Sequence, residues 1–123
     1  TEFADVEIFI YLWKKYIDMT RHKVVELIAS TLHKNAPEAV TILYGSEARG
    51  DARSNSDIDL LVLLPDSLSS KEFSRRKLEI SDMLYDIELD TEVMISPLII
   101  PQRVWHSRKT PFTVNVNNEG RIL

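Results

Sequence analysis

The sequence predicts an α/β domain in which helix, strand, short helix, strand, helix, strand and a helical tail follow in turn. Three observations carry that expectation. Val24, Val25, Ile28 and Leu32 form a helical stripe over residues 21–33, ending near Pro37, which cannot continue a helix. Residues 39–44 and 57–64 are short apolar runs of strand length, parted by a Gly-Ser turn and a polar loop. Residues 91–96 (Thr-Glu-Val-Met-Ile-Ser) give a third β pattern after a helix over 70–87.

Taken in order, the elements have distinct reasons. Residues 3–17 place Phe3, Val6, Ile10, Trp13 and Ile17 at helical spacing, widened by Phe9, Leu12 and Tyr16. So broad a face asks for cover from its own sheet or from a partner, and a homo-oligomer is one such arrangement. The segment is too short and too charged to span a bilayer, and Lys14-Lys15 follow the apolar run rather than precede it. Met19 directly precedes a helix-opening segment, so residues 1–18 read either as an interface helix or as an upstream extension of one domain spanning 1–123. The helix over 70–87 buries Phe73, Ile80, Leu84 and Ile87, and turns Lys71, Arg75, Arg76 and Lys77 to water. In the tail, Trp105 and Phe112 are expected to pack on the body, while residues 117–120 read as loose.

The chemistry concentrates in the middle. The first strand ends in Gly45-Ser46 and turns into a helix through Glu47-Ala48-Arg49, so the first N–H groups of that helix, lacking partners, form an anion site. Gly45 and Ser46 would hold phosphate oxygens there. Arg49, one turn on, could neutralise a phosphate, and Arg53 could do so from the loop. Ten residues separate Ser46 from Asp57, enough for the short helix and the loop. Strand alternation puts Asp57 and Asp59 on one face, where two close carboxylates repel unless a cation lies between them. Hard oxygen ligands with open positions suit Mg²⁺ shared with substrate phosphates. A third carboxylate is expected from the later strand. Glu92, at its start, is preferred to Asp90, which has the same parity but lies just before it.

Blander readings stand beside these. Ser caps helices whatever the function. Arg49 and Arg53 could be surface ion pairs with Glu47 and Asp51. Asp59 inside an apolar strand is harder to dismiss, since a buried unpaired carboxylate is costly.

Gly-Ser, ten residues, Asp-Ile-Asp-Leu, and then an acidic residue opening a later apolar strand resembles the DNA polymerase β-like nucleotidyltransferase superfamily. The Gly-Ser-Glu-Ala-Arg-Gly wording and the short chain resemble its minimal (MNT) group. The resemblance covers roughly residues 20–98. It implies a small mixed sheet of about three strands flanked by helices, and transfer of a nucleoside monophosphate, with ATP the expected donor, to an acceptor hydroxyl. By matched position, Gly45 and Ser46 would bind the β/γ-phosphates. Asp57, Asp59 and Glu92 would ligate Mg²⁺, two ions in all, with Glu92 helping to deprotonate the acceptor. Larger relatives add an acceptor-gripping domain, whereas about 25 residues follow the last core strand here. The resemblance therefore implies a protein acceptor, as in MNT antitoxins paired with HEPN-type toxins. The alternatives are a non-catalytic toxin-binding module and an aminoglycoside-type adenylyltransferase.

Composition sets outer bounds. A chain of 123 residues supports one modest core, and a net charge of −4 disfavours a dedicated nonspecific nucleic-acid binder. Zero cysteines exclude disulfides and thiolate metal sites. His22, His33 and His106 have no zinc-site spacing. With no signal peptide or long apolar span, the expected location is the cytoplasm.

Overall fold

The computed structural model describes residues 2–123, and the side chain of Phe3, one of the stripe residues above, lies outside what is described. The order is α1 (Glu2–Asn35), β1 (Val40–Tyr44), α2 (Gly45–Arg49), β2 (Ile58–Leu64), α3 (Ser70–Thr91), β3 (Ile95–Pro101), α4 (Gln102–Ser107), α5 (Pro111–Glu119) and β4 (Arg121–Ile122). The strands form one mixed sheet in the order β3-β2-β1-β4. β1 is antiparallel to β2 and to β4, whereas β2 and β3 are parallel. Parallel neighbours need a crossover, and α3 supplies it.

β2 is buried on both faces, which is why it reads as a nearly continuous apolar run. Ile58, Leu60, Val62 and Leu64 pack against Val24, Ile28 and Leu32 of α1 and Ile80, Leu84 and Ile87 of α3. Leu61 and Leu63 face the other way, onto Trp105 of α4 and Val116 of α5. Asp59 shares the parity of Leu61 and Leu63, so it belongs to the α4/α5 face at the start of the strand.

Three expectations change. The two N-terminal helices are one, because no Gly or Pro interrupts residues 17–21; along its first half, Val6, Phe9, Trp13 and Tyr16 stay exposed, so the sheet does not cover them. Residues 117–119 are helical, not loose, and the chain after Gly120 adds the fourth strand. Arg76 is not simply solvated: it binds Glu38, the Asn35 carbonyl and Glu79, tying α3 to the end of α1.

Arg21 is the unexpected core residue. It continues the stripe of Val24, Val25, Ile28 and Leu32 one turn back, and is only 3 % exposed. Its Nε donates to Glu47 Oε2 at 2.7 Å, Nη2 to the Ser56 carbonyl at 2.7 Å and Nη1 to the Ser54 carbonyl at 3.5 Å. One buried cation thus fixes α2 and the loop before Asp57 to α1. Removing it would leave Glu47, itself largely buried, without its counter-charge. Arg21→Met is therefore expected to cost about 3–5 kcal/mol, and a second change, Glu47→Met, to recover much of it. Urea denaturation of both variants checks this; a single variant within about 0.5 kcal/mol of wild type, the range of ordinary surface changes, would remove Arg21 from this role.

Candidate active site

β1 ends and α2 begins at Gly45, whose φ of +75° is a left-handed conformation that side chains disfavour. Space gives a second reason for glycine. A Cβ built there would lie 2.4 Å from Asp59 Oδ2. The antiparallel register pairs Tyr44 with Asp59, so the turn and the carboxylate meet across neighbouring strands. Ser46 follows in the first turn of α2, and no side chain caps that helix. The capping role open to Ser46 is thus not the one it takes.

Asp57 lies one residue before β2, exposed, and its Oδ2 accepts a hydrogen bond from the Ser96 hydroxyl at 2.9 Å. Asp59 is half-buried. Burial and, second, the charge of Asp57 push its carboxyl above the ordinary value, with Arg49 pulling the other way. Tyr44 is raised too, by burial and by the charge of Asp59, so its phenol stays protonated near neutrality. Two carboxylates crowded in this way are a donor set short of positive charge. Their hard oxygens fit a magnesium ion, which would relieve the repulsion.

Glu92 does not join them. It caps the C-terminus of α3 with φ 59°, its N–H bonded to the Glu88 carbonyl, three residues before β3 begins. The cause is local: α3 runs on past the buried stripe to Thr91, whose hydroxyl donates to the Ile87 carbonyl and accepts from the Val93 N–H. Asp90 lies within the same helix, exposed. Among the described residues no group of three or more His, Asp or Glu side chains gathers at metal-holding distance. The residue beside Asp59 on β3 is Ser96. Ser96 shares the parity of Glu92, so strand alternation in the sequence contained the signal for it.

The arginines are also arranged differently from expectation. Glu47 is taken by Arg21, not by Arg49. Arg49 pairs with Glu119, which the sequence did not suggest, and with Asp51, one of the two expected surface partners, and both hold it more firmly protonated. Arg53 lines a cavity of about 550 Å³ between the 50–54 loop and Ile10, Trp13 and Ile17 of α1. Glu119 accepts from the Gly45 N–H at 3.2 Å. Nothing local in the sequence marked Glu119, since its partners are about 70 or more residues away.

The family model for polymerase β nucleotidyltransferases matches residues 26–123, which include Gly45, Ser46, Asp57, Asp59 and Glu119. The chain belongs to that family and is a nucleotidyltransferase. A candidate protein adenylyltransferase of Methanocaldococcus jannaschii is 35 % identical over 74 % of this chain and 83 % of its own length. Among solved structures, a mutant of the toxin–antitoxin MntA-HpeT has a TM-score of 0.52 at 21 % identity, covering 79 % of this chain and 69 % of that one, a likeness of fold. A toxin–antitoxin with AMP-PNP gives 0.48 at 22 % identity, over 85 % and 70 %. Among the described residues no helix is long and apolar enough to cross a membrane.

The raised Asp59 carboxyl has a consequence for stability. Above the ordinary carboxyl value the unfolded chain gives up this proton more readily than the folded one. Folding stability from this group therefore falls as pH rises through the raised value, and the penalty is complete above it. In metal-free buffer Asp59→Asn should melt a few degrees higher than wild type at pH 7, with the gap closing below about pH 4, the ordinary carboxyl range. Added Mg²⁺ should raise the melting temperature of wild type only. A variant less stable than wild type at pH 7 would contradict the crowding of Asp57 and Asp59.

Proposed function

We propose that the chain transfers AMP from ATP, with Mg²⁺, to a hydroxyl on a partner protein. The observation that carries the proposal is the close approach of Gly45 to Asp59, which supports reading the β1–α2 turn and this carboxylate as parts of one site. In this reading the Ser46 hydroxyl and the free N–H groups of α2 receive the triphosphate, and Arg49 adds a positive charge beside them. Asp57 and Asp59 hold the metal, and the Ser96 hydroxyl keeps Asp57 oriented. Bound Mg²⁺ would polarise the α-phosphate and offset charge on the attacking and leaving oxygens. With Glu92 elsewhere, Asp59 is the half-buried base that remains to take the acceptor's proton.

The choice of AMP and of a protein acceptor is supported by the name of the M. jannaschii relative. A HEPN-type toxin as that acceptor extends the proposal along the resemblance to MNT antitoxins. Cytoplasmic action and one domain over 1–123 belong to the same proposal. A contact-only binding module is the second reading, favoured by the Ser96 hydroxyl where a third carboxylate would stand.

Transfer from α-labelled ATP in host lysate tests both. The proposal expects Mg²⁺-dependent label on protein, lost upon protease digestion, and reduced at least about 100-fold by Asp59→Asn, a loss of about 2.7 kcal/mol in transition-state stabilisation. RNase-sensitive label would redirect the acceptor to RNA. Undiminished labelling by Asp59→Asn would end the mechanism, and a doubly substituted Asp57/Asp59 chain that still neutralises a toxin would favour the binding module.

A further inference from the structure

We infer that Glu119 is a positioning residue for the nucleotide site, holding the anion-binding turn and Arg49 in the arrangement that receives a triphosphate. The inference rests on the reading of the site proposed above. Glu119 is the last residue of α5, 74 positions from Gly45 in the chain, yet its Oε1 accepts from the Gly45 N–H at 3.2 Å. The same carboxylate takes Arg49 Nη1 on both oxygens, at 3.3 and 3.2 Å. Gly45 is thereby fixed from two sides, its Cα against Asp59 and its N–H against Glu119.

The fold holds Glu119 there. α5 is anchored at its start by a capping box between Thr110 and Thr113, and along its length by buried Thr113 and Val116. It stops at Gly120, where a Cβ would come within 2.5 Å of the Val116 carbonyl and 2.8 Å of Ile42 Cγ2. β4 then pairs Arg121 and Ile122 with Leu43 and Ile42, and the Leu123 N–H donates to the Thr41 carbonyl at 2.9 Å. The carboxylate cannot slide along α5 without breaking this register.

Its electrostatic role follows from its neighbours. The Glu119 carboxylate has its own counter-charge in the Arg49 guanidinium. Glu119, together with Asp51, in turn holds an otherwise exposed guanidinium on the short helix that carries Ser46. Because Glu119 occupies the Gly45 N–H, the phosphate is left to Ser46, to the following N–H groups of α2 and to Arg49. Charge-assisted hydrogen bonds of this kind are stronger than neutral ones, so their loss should be measurable as affinity.

The test is the affinity of the full chain for Mg-ATP by calorimetry, with steady-state kinetics beside it, for wild type, Glu119→Gln, Glu119→Ala, Arg49→Ala and the Glu119→Ala/Arg49→Ala pair. Glu119→Ala should weaken binding about tenfold and Glu119→Gln about threefold, appearing in KM more than in kcat. The pair should lose less affinity than the two single losses combined, the non-additivity of residues acting through one another. If Glu119→Ala fails to fold, the isosteric Glu119→Gln decides the matter alone. Wild-type binding with unchanged or tighter binding in the Glu119 variants would overturn the inference while leaving the function reading intact. Absence of Mg-ATP binding by wild type would bring down that reading, and this inference with it.

Discussion

Everything at the site depends on the approach of Gly45 to Asp59. A left-handed residue with no side chain lets the β1–α2 turn press against a carboxylate on the next strand. Without that approach the β1–α2 turn and the acidic pair would be two separate features. With it, a phosphate at Ser46 and a cation at Asp59 would share a boundary, which is the spatial requirement for nucleotidyl transfer.

The supports of this contact come from distant parts of the chain. Arg21 on α1 secures α2 and the 54–56 carbonyls from one side through a buried ion pair. Glu119 on α5 secures the start of α2 from the other. The two ties differ in consequence. Arg21 is sealed from solvent, so its loss acts on folding, whereas Glu119 and Arg49 are partly open to solvent, where the proposed ligand would reach them. Between them Asp57 and Asp59 stay crowded, and Arg49 offsets only part of what burial and the charge of Asp57 impose on Asp59.

Much of this was legible in the sequence for a physical reason. Asp59 stands out because a carboxylate inside an apolar strand demands an explanation, and Gly45-Ser46 because a strand-to-helix turn there starts a helix whose first N–H groups lack intrahelical partners. The helix stripes were equally plain, Val24 to Leu32 and Ile80 to Ile87 being buried as their spacing requires. Glu92 was misplaced because a back-bonding Thr91 and one more turn of α3 outweighed the β pattern of residues 91–96. Arg21 sat in register with the apolar stripe and could have been found by asking why a cation occupies a core position. Glu119 and β4 could not, since their partners lie far away in the sequence and only the folded sheet edge brings them together. Phe112 packs edge-on to both Tyr44 and Trp105 as the tail was expected to do, though one side of it remains exposed.

The most direct measurement is a crystal structure of the chain with Mg²⁺ and a non-hydrolysable ATP analogue. The account predicts metal held between Asp57 and Asp59, with the phosphates lying against Ser46 and Arg49. A nucleotide bound elsewhere, with no metal between the two carboxylates, would contradict it.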